Sequence, residues 1–182
     1  MYPEPYIEYL AHFHGDHDFF ECHELLEEYW KEVDPGNKKS IWVAFIQLAV
    51  GCYHFRRRNT QGAAKNLRKS LLLFKTNENL ISSFGINRED LFTQIEALIE
   101  EAITGKTYKG FSIPIEDEIL RDLWVSVCKK KGLQILESGY MPNESIIHRH
   151  KTRDRTIIIN ERQQALLRRN FKTADRDQKS AE

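Results

Sequence analysis

The sequence predicts a mainly α protein: a small helical bundle over residues 1–110, followed by a C-terminal α or α/β extension over 111–182. Three observations carry that reading. Apolar residues recur at helical spacing from Phe19 to Lys131. Cap and turn signals divide the stripes: Asp34-Pro35-Gly36-Asn37, then Asn59, Asn87 and Gly105. Between them lies a run, residues 41–55, that is apolar nearly all round, the mark of a buried central helix.

Residues 2–13 form an aromatic entry segment with a turn or two of helix, its start kept irregular by Pro3 and Pro5. His14-Gly15-Asp16-His17-Asp18 is a polar turn into the first main helix, with Asp18 as N-cap and Glu21 completing a capping-box-like pair. At roughly 100° per residue, Phe19, Cys22, Leu25, Leu26, Tyr29, Trp30 and Val33 fill one arc. His23 and Glu27, at i and i+4, fall inside that arc or at its edge, while Glu24 falls on the far side.

Ser40 caps the central helix, which runs out at Arg56-Arg57-Arg58. Its polar exceptions are Gln47 and His54, about two turns apart on one line. Gly51 and Ala44 leave room along that line for another helix or a ligand, and Arg58 continues it. An antiparallel pairing of these two helices, suggested by the short 34–39 connection, would let His23, Glu27, Gln47 and His54 converge.

A third helix covers 61–75, with Ala64, Leu67, Leu71 and Phe74 inward. After a polar loop, Asn87 caps a fourth that carries Leu91, Ile95, Leu98, Ile99 and Ala102 and stops at Gly105. A fifth, 115–131, turns Ile119, Leu120, Leu123, Trp124 and Val127 inward. Beyond Gly132, residues 145–150 and 156–159 read as short strands, and Asn160 caps a basic helix over 161–172.

Composition sets bounds. Apolar content of 41% and charged content of 30% are those of a globular domain. Three cysteines without a CxxC spacing suit reduced thiols in a cytoplasmic protein, with Cys22 and Cys52 acting as small hydrophobes. No secretory leader is expected at the N-terminus. The 41–55 run is too short for a bilayer and carries Gln47 and His54, so no membrane partner is expected. Formal charge is zero but uneven: residues 16–34 hold eight acids against Lys31, and the stretch from Arg149 to Lys172 holds eight bases against Asp154 and Glu161. The basic stretch can dock on the acidic helix, pair across a homodimer, or neutralise the phosphates of a nucleic acid. Its aromatic content is too low for base stacking.

The pattern Phe13, Phe20, His23-Glu24-x-x-Glu27-x-x-Trp30, then Gln47 and His54, then Asn59-x-x-Gly62-Ala63, resembles the bacterial family catalogued as domain of unknown function number 309, over roughly residues 13–105. That resemblance implies a small helical domain with no established activity. His23, Glu24, Glu27, Trp30, Gln47 and His54 match positions characteristic of that family. The region after Gly110 resembles the longer Bacillus-type members.

Three chemistries compete for these residues. A divalent metal ion can be held by His23, Glu27 and His54, with His14, Asp16 and His17 close ahead. A hydrogen-bonded structural cluster uses the same groups, with Glu27 fixing His23 and Gln47 satisfying His54. Metal-dependent or acid/base hydrolysis would cast Glu27 as ligand or base and His23 and His54 as ligands or acids, with the Glu27 pKa raised beside Trp30 and Phe20 in the metal-free case. Glu24, Trp30, Gln47 and Arg58 are the candidate ligand-binding residues. HExxH is absent, because Glu27 stands four after His23. Gly105-Lys106-Thr107 lacks the leading glycine and strand of a P-loop.

Overall fold

A computed structural model describes residues 1–135 and Ile146. The chain divides into one unit spanning Met1–His148 and another spanning Arg149–Glu182; every element below belongs to the first. The basic stretch, the 156–159 strand, the 161–172 helix and, apart from the helical Ile146, the 145–150 strand lie outside the described residues. The described part is mainly α, with no strand; its only β feature is an isolated bridge between Ile86 and Ile115. Among the described residues no helix is long and apolar enough to cross a membrane.

The N-terminal segment is a full helix, α1 (Glu4–His14). The two prolines help start it: Pro3 is the N-cap and Pro5 sits in the first turn, where a missing N–H costs nothing. Tyr6, Tyr9, Leu10 and Phe13 are fully buried, each burial contributing roughly 1.5–3 kcal/mol. Both tyrosine hydroxyls escape desolvation by donating to carbonyls, Tyr6 to Phe84 O at 2.9 Å and Tyr9 to Phe45 O at 3.0 Å.

The capping signals set the next starts. Asp18 accepts from the Glu21 N–H and opens α2 (Phe19–Val33); Ser40 accepts from Trp42 and opens α3 (Ile41–Arg56). Asn59 accepts from Gly62 and opens α4 (Thr60–Thr76). The 76–86 loop is more structured than its polarity suggests. It holds α5 (Glu78–Ile81) and a 3-10 turn (Ser82–Phe84), turned by Gly85 at φ +68°. Asn87 caps α6 (Arg88–Ile103), whose five inward residues are those read from its periodicity. Asp117 accepts from Ile119 and Leu120 to open α7 (Glu118–Lys131).

Neighbouring helices pack in the order α7, α1, α2, α3, α4, α6. α2 and α3 run antiparallel: Tyr29 meets Trp42 (4.9 Å between rings) near one end, and Arg56 covers the Phe19 ring (4.8 Å) at the other. The small residues of α3 admit a helix: a Cβ on Gly51 would lie 2.7 Å from Leu67, and the Ser70 hydroxyl donates to Ala44 O at 2.8 Å.

Two inward faces differ from the periodic reading. On α4, Ser70 and Leu73 are buried and Leu71 only half so, because Ser70 satisfies its hydroxyl on α3. On α7 the stripe is Leu120, Trp124 and Cys128, while Ile119 (71% exposed) and Leu123 (38%) face out. The Tyr2 hydroxyl donates to Asp117 at 2.6 Å, and the Cys128 thiol meets Ala11 O at 3.5 Å. These two tethers fix the rotation of α7 against α1. Val33, expected inward on α2, is exposed as the last residue before the turn.

Candidate functional site

The α2 surface carries the first polar site. His23 and Glu27 stand one turn apart on one face, as the i, i+4 spacing requires, with Nε2 3.0 Å from Glu27 Oε2. Glu24 also reaches the imidazole: its Oε1 lies 3.1 Å from Nδ1. Adjacent helical residues do not normally face each other, so spacing alone gives no sign of this contact. Lys31, one turn beyond, meets the other Glu27 oxygen at 2.8 Å. The three side chains His23, Glu24 and Glu27 are 28%, 27% and 32% exposed, so the cluster lies at the rim of the apolar face.

Charge pairing decides the protonation. Burial favours neutral His23, but the hydrogen bond and charge of Glu27, joined by Glu24, outweigh it and raise the histidine above its ordinary value. Glu27 moves the other way, to about 2, led by the His23 hydrogen bond and helped by Lys31. The raised carboxyl expected beside Trp30 and Phe20 is therefore not found, because partners overcome desolvation there.

The remaining candidates are distributed elsewhere. His54 is half-buried at the α3–α4 turn, its Nδ1 3.1 Å from Asn59 Nδ2. Among the described residues, His23, Glu24 and Glu27 are the one group of three or more His, Cys, Asp or Glu with ligand atoms within 4.8 Å of one another, and His54 is outside it. Gln47 is half-buried on α3. Trp30 donates its indole N–H to Asn37 O at 3.1 Å, pinning the 34–37 turn. Arg58 is exposed at φ +60°, shaping the exit from α3. His14, Asp16 and His17 face other partners. Ser112 lies 3.3 Å from His14 Nδ1, Asp16 bonds His12, and His17 bonds Phe13 O.

Residues 6–66 match the profile of the family described as Domain of unknown function (DUF309). Over 169 residues the chain is 40% identical to the uncharacterized protein YpuF of Bacillus subtilis (strain 168), covering 93% of this chain and 97% of that protein. The chain belongs to the DUF309 family. No solved structure matches it.

The matched span of this DUF309 chain also contains a second polar region, the 14–18 turn, whose burial is not expected from sequence. The 14–18 turn, polar in composition, is largely buried, and the charged Arg56 is buried with it at 5% exposure. Arg56 NH1 donates to His17 O at 2.7 Å, and its guanidinium lies over the Phe19 ring. His17 is held at φ +53°, a conformation uncommon outside glycine. His14 stacks on Trp124, with ring centroids 5.1 Å apart. Burial brings His14 down to about 3, with His17 adding to the effect, and lowers His17 as well. The sequence offers one signal: an arginine at the end of a helix that is apolar nearly all round, one turn from Cys52.

Proposed function

We propose that this protein is a helical binding module whose working surface is the His23–Glu24–Glu27 cluster of α2, and that its ligand there is a divalent cation. The observation that supports this is the convergence of one imidazole and two carboxylates at a half-exposed position, with ligand atoms within 4.8 Å. Imidazole and carboxylate oxygen together suit zinc or manganese, and one helix face supplying three ligands leaves positions open to water or a partner's group. Binding would displace the His23 proton and release Lys31 from Glu27, so uptake should rise with pH. Glu27, held ionised, is better suited to ligation than to proton donation.

The test is elemental analysis of untagged protein purified without chelator, with zinc and manganese titrations of wild type, His23→Ala and Glu27→Gln. Near-stoichiometric uptake lost in both variants supports the reading. Absence of uptake in folded wild type would reduce the cluster to a structural clasp.

A further inference from the structure

The buried Arg56 is a different case from the α2 cluster and does not depend on it. A guanidinium taken out of water costs several kcal/mol unless it is paired, and such groups normally meet carboxylates. Arg56 forms no ion pair among the described residues. It has one hydrogen bond, from NH1 to His17 O, and a ring face beneath it. Its Nε and NH2 are closed from solvent and have no hydrogen-bond partner among the described residues.

Those two nitrogens are not an arbitrary pair. With NH1 committed to His17, Nε–H and NH2 form the side-on fork of the guanidinium, two parallel donors at the spacing of two oxygens of one oxyanion. A third donor is close by. Among the described residues the buried Tyr108 hydroxyl meets only the Cys52 thiol, a weak sulfur acceptor one turn back along α3 from Arg56. Tyr108 and Arg56 both pack on Phe19, at 6.3 Å between rings and 4.8 Å to the ring centroid.

We infer that Arg56 and Tyr108 form an interior anion site that takes one carboxylate or phosphate group of a small molecule through the Nε/NH2 fork and the phenolic O–H. Tyr108 lies on the connector between α6 and α7, outside any helix.

The experiment uses full-length protein with chelator present, at constant ionic strength. Inorganic phosphate and acetate are titrated separately, each followed by calorimetry and by the NMR signal of the arginine Nε–H groups. The expected result is saturable binding of at least one anion, with one Nε–H resonance shifting. Arg56→Gln and Arg56→Lys should each weaken binding by roughly tenfold or more, and Tyr108→Phe by less. The anion that binds identifies the ligand as phosphate- or carboxylate-bearing. Failure of both anions to saturate wild type would overturn the site, as would unchanged affinity in folded Arg56→Lys. If Arg56→Gln does not fold, Arg56→Lys and Tyr108→Phe decide.

Discussion

Two histidine-containing regions lie close together in sequence and behave oppositely. At the α2 rim, His23 sits between two carboxylates and is raised; in the buried turn, His14 has a serine and an indole for company and is lowered to about 3. Burial disfavours the charged imidazole in both places. The sign of the outcome depends on whether an anion is within hydrogen-bond reach. The chain therefore carries an acid-sensitive interior beside a cluster that is strongest in mild acid.

The largest expected effect lies on the buried side. The unfolded chain takes a proton on His14 near pH 6.5, whereas the folded one resists until about 3. This lowered histidine is neutral in the fold, so stability is full above pH 6.5 and falls as pH drops toward 3. The loss is on the order of 3–5 kcal/mol, since each tenfold difference in proton affinity between the folded and unfolded chain is worth ~1.4 kcal/mol. Denaturant midpoints from pH 7.5 to 3.5 should drop steeply in wild type and noticeably less in His14→Gln; equal slopes would show that His14 is not the group responsible.

Next in size is Gly51→Ala. Its added methyl would meet Leu67 at 2.7 Å, so α3 and α4 must separate, at about 1–3 kcal/mol. Because Cys52 and Arg56 ride on α3 and the α2 cluster does not, the titration of His23 by NMR should stay at its wild-type position while the melting temperature falls. A moved His23 midpoint would mean that the two regions are coupled through the helix interface.

Legibility follows the same division. Caps are local chemistry, and Asp18, Ser40, Asn59 and Asn87 open their helices where the sequence places them. The His23–Glu27 pair is equally visible, since i, i+4 spacing fixes it before any tertiary contact forms. The Glu24 contact is not legible, because it depends on the reach of a flexible side chain. Tertiary packing hides the rest. Helix α1 is longer than its pattern reveals because its polar line is sparse, Glu4, Glu8 and His12 alone, and seven of its eleven residues are buried. Ile119 and Leu123 turn outward because tethers at Asp117 and Cys128 set the rotation of α7. The burial of Arg56 and His17 depends on the closing of α2 against α3, which no local pattern records.

A smaller effect is expected from His23→Ala, about 0.5–1 kcal/mol, because the cluster is partly solvated and its partners can turn to water. Its pH dependence opposes that of His14. The raised His23 contributes fully below pH 6.5, and this is lost as pH rises through its higher folded value. The lowered Glu27 contributes above about 4.5, and this is lost as pH falls toward 2. The wild-type minus His23→Ala stability difference should therefore peak between roughly pH 4.5 and 6.5. A difference that grows steadily toward pH 8 would contradict the pairing.

Lys31→Ala is the smallest and most selective perturbation. Lys31 is 63% exposed and, among the described residues, touches the cluster through Glu27 Oε1. As an exposed i, i+4 pair it contributes about 0.3–0.5 kcal/mol, largely screened by salt. Removing it leaves the His23–Glu27 bond in place but takes away one of the two cations that hold Glu27 ionised, so the carboxylate should titrate modestly higher while His23 stays raised. The same change removes the competitor for one Glu27 oxygen. If the cluster binds zinc or manganese, Lys31→Ala should bind it more tightly than wild type, and this gain should persist where the stability change is too small to measure. Unchanged cation affinity in Lys31→Ala would mean that Glu27 is not a ligand, and with it the cation reading of α2 would lose its central carboxylate.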